Sequence, residues 1–298
     1  MKLSLCIPTN GIIEWVFPAL DSIYESNVDQ NLFEVIVTDN GTNKEFKTKM
    51  NDYVKQYQNI IYMETDEVMF DNQLAALKIA NGDYLKLVNH RAKWLPGRLQ
   101  DMIDFIIKYE HEKPVIYFSN GVMGWGPVYR EYDSFDAFVS ALGIYGTWTT
   151  GVGIWKSEYE RLKHCFKYDK ISPHAGILYA DRSNPKYVIN DRYWMKEVDT
   201  GHEKKGKYNL YKAFALDEFI ITINLYRDGS ITEDTLIKIK NDFKNFLISL
   251  YVEFNIKKKP CSYDLEGFKK YINIFFSEKD IIEAAYAKYN TECLRGDK

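Results

Sequence analysis

Short apolar runs alternate with amphipathic stretches through the first 120 residues of this chain. Leu3–Ile7 reads as a strand, closed by the turn cluster Pro8-Thr9-Asn10-Gly11. Trp15 to Tyr24 has helical spacing, with Val16, Leu20, Ile23 and Tyr24 inward and Pro18 in an early turn. Phe33–Thr38 predicts a second strand ending at Asp39-Asn40-Gly41-Thr42; a polar helix runs on to Tyr53 and the strand Asn59–Met63 follows. Then come a helix over Asn72–Ala80, a strand over Tyr84–Val88, a helix over Pro96–Tyr109 and a strand over Val115–Phe118. This β-α alternation predicts an α/β fold with one mostly parallel sheet flanked by helices. Ligands of such sheets bind at the carboxyl ends of the strands, so the turns after Ile7, Thr38 and Val88 are where chemistry is expected.

Periodicity weakens from Gly121 to about Tyr168, a stretch rich in Gly, Trp and Tyr that suits binding loops. A strand-like piece, Thr150–Trp155, leads into a helix after Ser157, with Glu160 completing a capping box. Beyond residue 205 the pattern turns helical: Tyr208–Tyr226, Thr232–Phe254, and two shorter helices in 263–276 and 278–290. The division expected is a catalytic α/β domain over 1–205 and a helical C-terminal region over 206–298.

Composition narrows the function. Of 298 residues, 39 are Lys or Arg and 42 Asp or Glu, a net charge of −3 that argues against a dedicated nucleic-acid binder. No apolar run reaches the roughly 18 residues that a membrane span needs. The first residues turn polar too soon for a secretory leader, so a cytoplasmic location is expected. Cys6, Cys165, Cys261 and Cys293 are scattered without a C-x-x-C pair, as reduced thiols would be. Aromatics reach 15%, with 23 tyrosines, which suits stacking on sugars or bases and equally suits an ordinary core. Neither a G-x-G-x-x-G after the first strand nor a P-loop occurs, which removes both phosphate-cradling loops.

Four blocks in order carry a resemblance: Leu-Ser-Leu-Cys-Ile-Pro-Thr-Asn at the start, Phe-Glu-Val-Ile-Val-Thr-Asp-Asn-Gly-Thr some thirty residues on, Asp71-Asn72-Gln73, and Ala80-Asn81-Gly82-Asp83-Tyr84-Leu85. Over residues 2–100 the chain resembles the family 2 inverting glycosyltransferases of GT-A fold, nearest in character to bacterial polysaccharide and O-antigen transferases. The resemblance implies a nucleotide-sugar donor, most often a UDP-sugar, and an acceptor that is a surface polysaccharide or lipid-linked oligosaccharide. It implies that Pro8 and Thr9 line the base pocket, that Asp39 bonds the base or ribose, and that Asn72 sits near them. An Asx-turn over Gly41 is the structural alternative for Asp39, and a helix cap that for Asn72.

The chain departs from the family where its metal-binding Asp-x-Asp motif belongs. Asn89-His90-Arg91 stands there, followed by Ala92-Lys93-Trp94-Leu95-Pro96-Gly97. Three readings stay open. Arg91 or Lys93, with Asn89 beside them, could neutralise the leaving diphosphate without a metal; His90 could still hold a divalent cation, Mn²⁺ better than Mg²⁺; or the chain has become a non-catalytic nucleotide-sugar binder or partner protein. By spacing, Pro173-His174 replaces the family's acidic pair, so His174 is a candidate base, with Asp169 the alternative. Trp125, Trp148, Thr149 and Thr150 fall where acceptor loops would lie. A basic run over 200–207 could close on the donor, or be a solvated loop. Ile256-Lys257-Lys258-Lys259 could touch the inner membrane face, while the helical tail's apolar faces could form a homo-oligomer instead. A nucleotidyltransferase would need a glycine-rich basic loop where Ile12-Ile13-Glu14 stands.

Overall fold

The computed structural model describes residues 1–166, 169–198 and 206–295. The chain forms two compact units, Met1–Phe138 with Tyr145–Val198, and Val139–Ile144 with Asp199–Lys298.

In the first unit, five strands form the main sheet: β1 (Leu3–Thr9), β2 (Phe33–Asp39), β3 (Ile60–Glu64), β4 (Tyr84–Leu87) and β8 (Gly153–Trp155), in the order β3-β2-β1-β4-β8. The first four are parallel and β8 runs antiparallel to β4. Because β1 is paired on both sides and covered on both faces, it reads as a near-continuous apolar run. Leu3, Leu5 and Ile7 share a core with Val16 and Leu20 of α1 (Ile13–Tyr24) and Phe46 and Met50 of α2 (Lys44–Tyr53). The same core takes in Leu99, Met102, Ile103 and Ile106 of α4 (Arg98–Lys108). On the other face, α3 (Asn72–Ile79) lies against β1 and β2.

The expected strand at Val115–Phe118 exists, as β6, but in a second sheet. There it pairs in parallel with β9 (Tyr187–Asn190), whose other edge takes β7 (Tyr129–Tyr132) antiparallel. The slot beside β4 is filled by β8 instead. Two glycines allow this. A Cβ on Gly153 would meet the Tyr84 ring at 2.5 Å, and one on Gly151 the Tyr117 ring at 2.0 Å, so both tyrosines lie flat on bare backbone. A third, two-stranded ribbon joins β5 (Ala92–Trp94) to β10 (Met195–Glu197), antiparallel, with Ala92 opposite Glu197, Lys93 opposite Lys196 and Trp94 opposite Met195. Ser157 and Glu160 do not form the expected capping box. The helix α6 (Lys156–Leu162) starts two residues earlier, with Trp155 at its N-cap and no side-chain cap bond. Also in this unit is α7 (Pro173–Leu178).

α5 (Phe135–Leu142) contributes Phe138 to the first unit, stacked on Tyr187 at 5.2 Å. The second unit is helical. α8 (Leu210–Lys212) runs through a π-turn at Ala213–Asp217 into α9 (Glu218–Arg227), then come α10 (Glu233–Tyr251), α11 (Phe268–Phe275) and α12 (Glu278–Arg295). Tyr211, Leu247, Val252, Ile272, Ile281 and Ala285 build its own core. Thr232 caps α10 as its Thr-Glu-Asp opening suggests, its hydroxyl accepting the Thr235 N–H. Two of the three lysines read as a membrane-facing cluster are already neutralised: Lys257 pairs with Glu253 and Glu292 at 3.1 and 2.8 Å, and Lys259 pairs with Glu253. Among the described residues, no helix is long and apolar enough to cross a membrane.

Candidate functional site

The tips of β1, β2 and β4 converge. Thr9 and Asp39 are partners in the parallel register, and Thr9 Oγ1 hydrogen-bonds His90 Nδ1 at 2.8 Å just past β4. The Asn72 side-chain amide, at the start of α3, donates to the carbonyls of both Thr9 (3.0 Å) and Thr38 (2.9 Å), clamping the two strand ends together. Asp39 is buried. One of its oxygens accepts the Gly41 N–H at 2.8 Å and the other the Tyr62 hydroxyl at 3.0 Å. The Asx-turn is therefore present, and a side chain on Gly41 would meet Asn10 O at 2.1 Å. Burial beside that carboxylate raises the pKa of Tyr62, so its proton stays on the phenol. Thr9, Asp39 and Asn72 are thus brought together, with Pro8 beside them on β1.

His90 is held edge-on to Trp15, ring centroids 4.9 Å apart, and burial with the adjacent Arg91 lowers its pKa to about 3. The imidazole is thus neutral, with Nδ1 engaged by Thr9, and supplies at most one nitrogen ligand. Asn89 Oδ1 accepts the Arg91 N–H at 3.2 Å in a turn of its own. Among the described residues no group of three or more His, Cys, Asp or Glu could hold a metal ion. Hard divalent cations need anionic oxygens, and an engaged amide, a pinned imidazole and a guanidinium do not supply them; the residues at this position do not fit a metal.

Arg91 has the opposite character. Its guanidinium lies 5.6 Å from the Trp15 ring, is 15% exposed, and reaches Glu197 Oε1 through Nη2 at 3.2 Å, while its buried Nε has no hydrogen-bond partner. Lys93 follows two residues on, half-buried in β5 between the buried Ala92 and Trp94.

Beside these tips lies a small cleft of about 70 Å³, lined among others by Asn89, Phe118, Asn120, Trp148, Thr150 and Glu197. Trp148 is 40% exposed and sits edge-on to Tyr145. The segment carrying it is bolted from below. Tyr117 donates to the Tyr145 carbonyl. Lys86, wholly buried in β4, donates to the carbonyls of Leu87 (2.8 Å), Thr150 and Val152 (3.3 Å) with the Phe118 ring 5.6 Å away. Burial lowers the Lys86 pKa to about 7.

His174, buried at the start of α7, belongs to the same bolting. Its Nε2 lies 2.8 Å from the Thr147 carbonyl, which can only accept, so the proton sits there. Nδ1 then accepts the Thr149 hydroxyl at 3.3 Å, and Thr149 in turn accepts Gln73 Nε2 at 3.4 Å. Burial lowers the His174 pKa to about 4, against the raising pull of Thr147 and Asp169. Both ring nitrogens of His174 therefore have protein partners in this structure. Asp169 accepts the Ile171 N–H with one oxygen, is partly exposed, and lies close enough for its charge to act on His174.

Sequence reasoning missed Lys86, Asp191 and Glu197. Asp191, at the end of β9, accepts Ser119 Oγ (2.5 Å) and the N–H groups of Met123 (3.0 Å) and Trp125 (2.8 Å), shaping the loop under Trp125. A lysine inside Tyr-Leu-Lys-Leu was a readable signal for the first; nothing local marked Glu197. Most of the 200–207 run lies outside the described residues.

A parallel sheet with polar tips at its carboxyl ends, an antiparallel fifth strand and a helical C-terminal unit define a GT-A type glycosyltransferase fold. Residues 4–164 match the family description "Glycosyl transferase family 2". The chain belongs to that family. It is similar in structure to S. aureus TarS 1-349 (TM-score 0.61, 16% identity, 98% of this chain and 83% of that one). Similar also are the same TarS piece in complex with UDP-GlcNAc (0.57, 17%, 96% and 82%) and the Pyrobaculum calidifontis mannosyltransferase PcManGT in complex with GDP-Man and Mn²⁺ (0.52, 12%, 97% and 86%). Against the longer TarS structure the match spans 44% of that chain. No curated protein matches by sequence.

Proposed function

We propose that the chain transfers a sugar with inversion from a nucleoside-diphosphate donor, a UDP-sugar first, to a hydroxyl of a surface polysaccharide or lipid-linked oligosaccharide, without a divalent metal. The observation that carries this reading is Arg91, a fixed, incompletely paired guanidinium just past β4 where the family keeps its metal-binding acids. The neighbours' UDP-GlcNAc and GDP-Man complexes support a nucleotide-sugar donor. Residues 1–205 act as the nucleotide-sugar-binding and catalytic domain, with 206–298 as a helical region available for self-association or for contact with the inner membrane face.

In this reading Thr9, Pro8, Asp39 and Asn72 seat the nucleoside and Arg91 takes the diphosphate. Trp148 offers an acceptor sugar ring its face. The acceptor oxygen attacks the anomeric carbon, the bond to the phosphate oxygen breaks, and the electron pair leaves with the diphosphate, whose charge Arg91 stabilises. The hydroxyl proton passes to Asp169, a carboxylate that the fold does not saturate. The test is a thermal-shift screen of UDP-, GDP-, CDP- and dTDP-sugars with Mn²⁺ and with chelator, followed by turnover of the donor that binds. One donor stabilising equally in both, with turnover, supports the proposal. Affinity without turnover in any metal replaces it with a non-catalytic sugar-nucleotide binder, the reading that loss of the metal-binding acids favours. Stabilisation only with Mn²⁺ removes the role given to Arg91.

A further inference from the structure

The pairing of Arg91 is half-made in an informative way. In a guanidinium, Nε–H and one Nη2–H point along the same edge, the edge that takes a carboxylate or phosphate with two parallel bonds. Here Glu197 occupies that edge through Nη2 alone, at 3.2 Å, and leaves the buried Nε without a partner. An unmet donor out of water costs free energy, so this edge is built for a better acceptor than the one it has.

The acceptor now in place faces solvent. The Glu197 side chain is 56% exposed, and ion pairs of that exposure contribute little. Its strand, β10, is three residues long, and its central pair sets Lys93 directly against Lys196, an unfavourable like-charge pairing. Glu197 also lines the cleft beside Asn89.

Resting on the reading of Arg91 as the diphosphate ligand, we propose that Glu197 is a stand-in anion: it occupies the Arg91 edge in the free protein and is exchanged for a donor phosphate on binding. Trp15, its ring 5.6 Å from the guanidinium, keeps the cation in place while its partner changes. Two consequences follow. Occupancy by Glu197 weakens diphosphate binding by the strength of one exposed pair. It also discriminates against ligands with no phosphate able to take both donors.

The experiment is calorimetric titration with UDP, GDP and uridine, in chelator, of the wild type, Glu197→Gln, Glu197→Ala, Arg91→Met and the Arg91→Met/Glu197→Gln double variant. The melting temperature of each confirms folding. Removing the stand-in is expected to tighten the diphosphate that binds about 2–5-fold, the size of an exposed ion pair, and to leave uridine unchanged. Arg91→Met is expected to weaken diphosphate binding at least about tenfold, as loss of a charged hydrogen bond does, and in that background Glu197→Gln should add nothing. Unchanged or weaker diphosphate binding in both Glu197 variants overturns the proposal, as does a gain that persists without Arg91. Those results leave the donor reading intact. If the wild type binds neither UDP nor GDP, the proposed function itself fails and takes the stand-in with it.

Discussion

Replacing His174 separates a base from a bolt. The ring is 3% exposed, donates to the Thr147 carbonyl and accepts from the Thr149 hydroxyl. His174→Ala takes the donor from the Thr147 carbonyl and the acceptor from the Thr149 hydroxyl, both half-buried, about 1–3 kcal/mol each, and adds a cavity, so a loss of about 3–5 kcal/mol in urea unfolding at pH 7.5 is expected. His174→Gln can both donate and accept there and should lose less than half of that. The pH dependence has a definite sign. The folded pKa, about 4, lies below the ordinary 6.5, so the unfolded chain binds more protons between those values. Stability contributed by the neutral ring is complete above pH 6.5 and is lost as pH falls toward 4, by roughly 3 kcal/mol for a gap of that size. The glutamine variant should lack this slope. Turnover decides the matter: a displaced general base costs about 10²–10⁴ in rate, whereas a bolt replaced by a competent amide leaves kcat within about threefold. A His174→Gln protein that folds as firmly as the wild type yet has lost turnover would refute the reasoning.

Asp169→Asn should reduce kcat by about 10²–10⁴ with donor affinity unchanged, read by initial rates and calorimetry together. Gly151→Ala drives a methyl into the Tyr117 ring, and about 1–3 kcal/mol of stability should go with it, measurable by chemical unfolding. Lys86→Met strips the donor from the Thr150 carbonyl, so amides of the segment around Trp148 should exchange about tenfold faster while β1 and β2 keep their protection. Asp191→Ala frees the Met123 and Trp125 N–H groups and the Ser119 hydroxyl, and a loss of about 3–5 kcal/mol is expected by thermal or urea denaturation.

The first four parallel strands were legible because each is a mostly apolar run ending in turn residues, and β1, covered on both faces, shows this most plainly. The convergence of Thr9, Asp39 and the residues after β4 followed from topology, since parallel strands put their carboxyl ends on one edge. What stayed hidden is short or remote. β5 and β10 are three residues each, too brief to show a period. Placing Val115–Phe118 in a second sheet depends on Gly151 and Gly153 admitting two tyrosine rings against the backbone, a contact that no periodicity encodes. The Arg91 pairing spans 106 residues, and the commitment of both His174 nitrogens depends on Thr147 and Thr149 being folded back under the cleft. Spacing alone marked His174 as a candidate base; that both its ring nitrogens meet protein groups is visible only from its neighbours.

A positive charge that is part of the polypeptide has no loading step. The guanidinium beside Trp15 is there at whatever manganese supply the cell provides, so in the rate law of the proposed reaction only two concentrations appear, donor and acceptor, and no ion has to be bound first or given up with the spent nucleotide.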